Sequence, residues 1–258
     1  MWLTIKNPPG VYTGGVRRYV GYDVSMGNKL LEPVVGIYKK YYAQTANIII
    51  EVGSRDGENA DYLRTKLRAK KAYAIEANPA LVVGIAERYP KLTVREIAIS
   101  NFDGEADFLQ VISDDINLLG TSSLDISKAK REEIYKTTET EVITVKVSRL
   151  DSFLAKEKLV EKTISVIKID IGGMTYQALL GFGELIKNVK MFHLKTERKY
   201  DHPSHKNNLE VAGYMRHHGF FLAGVFYEWG PNIQDQIWMN KALLPEEVKA
   251  LPKEISER

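Results

Sequence analysis

An open α/β fold on a mostly parallel sheet is what this 258-residue sequence predicts, and three observations carry that expectation. Apolar runs such as Ile48 to Ile50 and Ile164 to Ile169 read as strands buried on both faces, which a parallel sheet requires. Between such runs the apolar residues recur at helical spacing, so strand and helix alternate along the chain. Late in the chain, Phe220 to Tyr227 and Ile233 to Met239 read as an antiparallel pair that closes the sheet.

Taken in order, residues 1 to about 28 carry Pro8-Pro9-Gly10, Gly14-Gly15 and several tyrosines, and read as an extended arm without its own core. Leu30, Leu31, Val34, Val35, Ile37 and Tyr38 then predict a short helix packed beside the first strand. Residues 1–46 are thus an arm and helix lying on a main domain over 47–243, with a charged tail over 244–258. Ala60, Leu63 and Leu67 predict a helix after the first strand, and Ala72 to Glu76 a second strand. Asn78-Pro79 supplies an N-cap and a first-turn proline for a helix from Ala80 to Arg88, and Leu92 to Ile99 reads as a third strand.

Asn101-Phe-Asp-Gly104 is a turn signal, so Glu105 to Val111 is expected to pair with that third strand as a hairpin arm. The serine-rich stretch from Ser113 to Ser127 is longer than an ordinary connection and is a candidate functional loop. Helices over Lys128–Lys136, Leu150–Lys158, Tyr176–Leu185 and Leu209–His218 alternate with strands over Glu141–Val147, Ile164–Asp170 and Met191–Glu197.

The totals narrow the function classes. With 36 basic and 33 acidic residues the formal charge is +3, which gives no stripe for nucleic acid, and none is expected as partner. Cysteine is absent, which excludes disulfides and thiolate chemistry and fits a reducing, cytoplasmic setting. No apolar run approaches the roughly 20 residues of a membrane span. Self-association is left open.

Chemistry concentrates in Glu51-Val-Gly-Ser-Arg-Asp-Gly57, a tight glycine turn from strand into helix. Such a turn frees backbone N–H groups at a helix N-terminus, where cofactors bind. Glu51 selects among them, because an anion at the loop repels a pyrophosphate but suits S-adenosylmethionine, which carries an ammonium and a sulfonium. The spacing Gly53-x-x-x-Gly57 also lacks the full dinucleotide pattern, which disfavours a nicotinamide oxidoreductase. Glu76 ends the second strand 25 residues after Glu51, where an acid commonly bonds both ribose hydroxyls of a nucleoside cofactor. Glu51, Glu76, Asp170 and Glu197 all close predicted strands, so they are expected to converge on one rim.

Glu51-Val-Gly-Ser-Arg-Asp-Gly57, Tyr73-Ala-Ile-Glu-Ala-Asn-Pro79, Ile97-Ala-Ile-Ser100, Gly120-Thr-Ser-Ser-Leu124, Val147-Ser-Arg-Leu-Asp151 and Ile167-Lys-Ile-Asp-Ile-Gly-Gly173 together resemble the successive motifs of FkbM-type methyltransferases. The resemblance spans roughly Ile48 to Met239. It implies a Rossmann-like, seven-stranded class I methyltransferase sheet with S-adenosylmethionine as donor. It also implies O-methylation, most often of sugar hydroxyls in glycans or natural products, hence a carbohydrate or glycoconjugate acceptor. On these motifs Glu51, Gly53, Ser54, Arg55, Gly57, Glu76, Ala77, Ile99 and Asp170 are the candidate cofactor-binding residues.

One departure stands out. Family members usually carry glutamates where this chain has Gly172 and Thr175, while Asp170 is kept. Methyl transfer needs a base within reach of the acceptor hydroxyl. Asp170 is the first candidate, with Glu197, His193, His202 and His205 as substitutes. A chain short of acceptor-side carboxylates is alternatively a cofactor-binding module with weak turnover, or acts on a non-sugar acceptor. Asp170, Glu197 and His202-Pro-Ser-His205 offer ligand types for a divalent ion, but their spacing demands none, and no metal is assigned. Tyr12, Tyr19, Tyr22 and Trp229 are candidates to line an acceptor groove.

Overall fold

In the computed structural model the described residues are 12–13, 16–17, 31–42, 44–125, 138–198, 205–227 and 232–246. The helix expected over Lys128–Lys136, His202, Tyr19, Tyr22, Trp229 and most of the tail lie outside them. In the arm, β1 (Tyr12–Thr13) and β2 (Val16–Arg17) pair as a small antiparallel ribbon.

Seven strands form the main sheet: β3 (Ile48–Val52), β4 (Lys71–Glu76), β5 (Thr93–Glu96), β9 (Ile164–Ile169), β10 (Val189–Glu197), β11 (Phe220–Tyr227) and β12 (Ile233–Asn240). Their spatial order is β11-β12-β10-β9-β3-β4-β5. All neighbours are parallel except β12, which is antiparallel to both β10 and β11. This is the seven-stranded sheet that the family resemblance implies, mostly parallel and closed by the antiparallel pair read from the sequence. The order reverses direction between β3 and β9, the place where open α/β sheets bind ligands.

Both faces are covered, which is why β3 and β9 are buried along their whole length. On one face α1 (Glu32–Tyr41) and α2 (Glu58–Lys66) pack Val34, Tyr38, Ala60 and Leu63 onto Ile49, Ala74, Val166 and Met191. On the other, α5 (Leu150–Lys156), α6 (Thr175–Leu180) and α7 (Asn208–His217) cover Ile50, Ile75, Ile167, Phe192 and Trp238. The first turns of α3 (Pro79–Arg88) and α7 are set by Asn78 and Asn207, each accepting backbone N–H groups as an N-cap.

Three expectations are corrected. The strand expected over Leu92–Ile99 is two strands, because pairing with β4 ends where β4 ends, the Ile97 N–H making the last ladder bond to the Glu76 carbonyl, and the chain then leaves the main sheet. Glu105–Val111 does not pair with it as a hairpin arm either. Instead β6 (Ala98–Ile99) runs parallel to β8 (Glu139–Ser148), and β8 pairs antiparallel with β7 (Gly104–Ile112) in a separate three-stranded sheet ordered β6-β8-β7. The ten-residue β8 gives β7 a continuous ladder from Gly104↔Val147 to Ile112↔Glu139, which a short third strand cannot match. The helix expected to reach Leu185 also ends early, at Leu180; Gly183 at φ +50° opens a 3-10 turn over Gly183–Asn188.

No helix among the described residues is long and apolar enough to cross a membrane.

Candidate active site

The rim where β3, β4, β9 and β10 end is built around the loop from Gly53 to Gly57. Three of its five residues, Gly53, Arg55 and Gly57, have φ between +51° and +78°. Gly53 is required by proximity as well as by conformation, since a Cβ there would lie 2.1 Å from the Asp170 carbonyl oxygen. The loop is pinned to β4 by Gly53 and Ser54 N–H groups, both donating to the Ile75 carbonyl at 2.9 and 3.1 Å. Ser54 itself is buried, its hydroxyl donating to the Glu51 carbonyl.

Glu76 completes that join. Its carboxylate accepts the Arg55 N–H at 2.8 Å and the Asn78 N–H at 2.9 Å, which locks the glycine loop to the end of β4. At 8% exposure it is nearly buried, and burial raises its pKa against the pull of those amides.

Glu51 lies under the loop rather than at its mouth. It is 0% exposed, and its Oε2 accepts the Ala60 N–H at 3.0 Å in the first turn of α2. Gly57 stands at the N-cap of that helix without a side chain, so Glu51 does the capping from a distance. The anion-binding end of α2 is thereby occupied by the protein's own carboxylate, and a pyrophosphate has no place there.

The carboxylates are also compensated. Lys168 on β9 places its Nζ 3.1 Å from Glu51 and 3.2 Å from Asp170, and Lys195 on β10 places its Nζ 2.9 Å from Asp170. These groups form a chain of alternating charge at the strand ends, not the uniformly negative cluster that the acids alone imply. Burial pushes the Asp170 carboxyl up, but Lys195 and Lys168 outweigh it and hold the group well below the usual carboxylate range. Glu51 is pushed up by burial, against the attraction of Lys168.

Asp170 joins Glu51 and Glu76 around the loop, while two of the other candidate bases, Glu197 and His193, fall elsewhere. Glu197 ends β10 two residues beyond Lys195, past the last β9–β10 pair at Leu194 and Ile169. His193 is buried inside the sheet opposite Lys168, with its Nε2 3.5 Å from Asp235. Ile99 is spent in the core beside Ile75 and Leu150. Ala77 lines a cleft of about 170 Å³ with Pro79, Glu96 and Ile97, facing Glu105 and residues 143–146 of the smaller sheet.

Where glutamates were expected, Gly172 and Gly173 make a turn with φ of +34° and +80°, and Thr175 donates its hydroxyl to the Lys195 carbonyl at 2.7 Å. Against Gly173 lies the ring of His205, with Nε2 3.1 Å from Asp125. The serine-rich loop reaches the rim as well. It carries the short α4 (Ile116–Leu119), and Asn78 donates to the Ser122 hydroxyl at 3.2 Å. Lys168, Lys195, Asn78 and Asp125 were not foreseen as site residues. Lys168 had a signal: a lysine in an otherwise apolar buried strand requires a carboxylate partner.

A family model described as the methyltransferase FkbM domain matches residues 51–222, about two thirds of the sequence. The chain belongs to the FkbM methyltransferase family. S-adenosylmethionine is therefore the cofactor of this FkbM protein. Among solved structures it is similar to TrmK of M. capricolum bound to S-adenosylhomocysteine, at 11% identity and TM-score 0.42 over 80% of this chain and 67% of that one. A putative tRNA methyltransferase of Streptococcus pneumoniae bound to S-adenosylmethionine matches at 15% identity and TM-score 0.43, over 82% and 72%. Magnesium protoporphyrin IX methyltransferase of Synechocystis PCC 6803 matches at 7% identity and TM-score 0.46, over 86% and 90%. A search of curated proteins gave no match.

Proposed function

We propose that this FkbM protein methylates a sugar hydroxyl of a glycan or glycosylated small molecule, with S-adenosylmethionine as donor. The observation that carries the donor half is Glu76, nearly buried, bonded to the glycine loop and beside the β3–β9 switch point. In this reading Glu76 holds the ribose hydroxyls, Gly53, Ser54, Arg55 and Gly57 give the backbone its close approach, and Ala77 borders the cleft that takes the base. When bound, the donor supplies an electrophilic methyl group. Asp170, fixed by Lys168 and Lys195, would be the residue to hold and orient the donor's ammonium group. The sugar assignment rests on the family's usual acceptors.

Binding of S-adenosylhomocysteine by isothermal titration tests the donor half. Glu76→Gln is expected to weaken it about tenfold or more, equivalent to about 1.4 kcal/mol, while the fold survives with one backbone bond weakened. A wild-type chain that gives no heat would end this reading. A second reading, a cofactor-binding protein with weak turnover, is favoured by Asp170: a carboxylate held so firmly ionised is a poor proton acceptor. Methyl transfer to any member of a glycan panel would exclude it.

A further inference from the structure

The residues that hold Glu76 also hold the serine-rich loop. Glu76 accepts the backbone N–H groups of Arg55 and Asn78, and the side chains of the same two residues run to one stretch of chain, Asn117 to Ser122. Arg55 donates from Nη1 to Asn117 Oδ1 at 3.4 Å, and its methylene stem lies on Gly120, where a Cβ would stand 2.6 Å from the Arg55 Cδ. Asn78 accepts the Ala80 N–H and the Gln110 amide on its Oδ1, which fixes its Nδ2 toward the loop. That Nδ2 donates to the Ser122 hydroxyl at 3.2 Å and to the Leu119 carbonyl at 3.5 Å. The stretch is thereby fastened on both flanks of Glu76.

The loop is built to move as a unit. It leaves β7 at Ile112 and is back on the same strand at Ser123, which exchanges both backbone bonds with Leu109, so its two ends share one base. Between them lies α4, four residues of which none is buried, with Leu118 packed on Leu109 and Val111. A segment with so little buried surface opens at low cost, and ligand gates are drawn from such segments. We infer that residues 117–122 are a strap over the donor's ribose subsite, latched by Arg55 and Asn78, which lifts to let the donor exchange; this rests on the placement of the ribose at Glu76 proposed above. Ser122 is the catch. Its hydroxyl accepts the Asn78 amide and the Val111 N–H at 3.0 Å and donates to the Leu119 carbonyl at 2.8 Å, so β7, the strap and the end of β4 meet at one oxygen. A donor held by Glu76 fixes the two residues that carry the latches, so the strap closes more firmly on an occupied site than on an empty one.

Two substitutions act on the strap and leave Glu76 and the glycine loop's own residues in place. Gly120→Ala, at a helical φ of −68° that any residue adopts, wedges a methyl against the Arg55 stem, and Ser122→Ala removes the catch. In the full chain, the amides of Leu119, Gly120, Thr121 and Ser122, all bonded to carbonyls within the loop, report its opening by hydrogen–deuterium exchange, while those of β9 report the fold. Saturating S-adenosylhomocysteine is expected to slow exchange at the four strap amides of wild type about tenfold or more. Each variant should release S-adenosylhomocysteine about fivefold faster or more in surface plasmon resonance, with exchange in β9 unchanged and association no slower than in wild type. Binding that leaves strap exchange unaltered, or wild-type release rates in both variants, would overturn the strap while the donor site stands. Faster release accompanied by faster exchange in β9 would assign the effect to loss of fold and overturn it too. A wild-type chain that does not bind S-adenosylhomocysteine would instead remove the donor reading on which the strap depends.

Discussion

Gly53→Ala is expected to destabilise the protein by about 3 kcal/mol and to abolish measurable S-adenosylhomocysteine binding. Two costs combine at this position. The backbone sits at φ +78°, where an L side chain is strained, and the new methyl would be 2.1 Å from the Asp170 carbonyl oxygen. That oxygen belongs to the backbone just past β9, whose Asp170 N–H is bonded to the Val52 carbonyl, so it cannot swing aside. Relief requires prising β3 from β9 at the switch point, which displaces the loop from Glu76. Gly57→Ala is the internal control. It shares nearly the same φ, +77°, but its methyl would meet first the Cγ2 of Ile85 at 2.6 Å, a side-chain atom on a covering helix, so relief needs a small shift of that helix and not the parting of two paired strands. It should cost about 1 to 2 kcal/mol and leave binding detectable. Urea denaturation with titration calorimetry on both variants separates the outcomes, and equal losses would contradict the close-approach argument.

That contrast shows how much of the site was legible in the sequence. The glycine loop, Glu76 and the cap at Asn78 are local features, each encoded within a few residues, and all are where the sequence places them. The alternation of buried strands and amphipathic helices gave the main sheet for the same reason. What local pattern cannot carry is the approach of distant segments. Nothing near Glu105 says that its strand will pair with Glu139–Ser148, because the choice depends on how long a ladder the later strand offers. Nothing near Asp125 points to His205. Three of the four strand-end acids converge around the loop and Glu197 does not, while their charge is balanced by lysines that face the same side of the sheet from β9 and β10.

Replacing Lys168 is expected to have the other large effect, with a pH dependence that identifies its cause. In Lys168→Met the ammonium between Glu51 and Asp170 is lost; Asp170 keeps Lys195, but Glu51 keeps only the Ala60 N–H and the end of α2. A buried charge stripped of its partner costs about 3 to 5 kcal/mol. Glu51 already has its pKa raised by burial, with Lys168 opposing, and without the lysine it rises further. A carboxyl with a raised folded pKa binds its proton more tightly folded than unfolded. The penalty is therefore absent below the unfolded value, about 4.3, and grows as pH climbs toward the folded one. The variant's urea midpoint should fall more steeply than that of wild type between mildly acidic and mildly alkaline pH. Adding Glu51→Gln to Lys168→Met should recover about half of the loss and flatten the pH dependence, because a neutral amide still accepts the Ala60 N–H. A loss of the same size at every pH, unchanged by the second substitution, would show that Lys168 acts by packing and not by neutralising the carboxylate that caps α2.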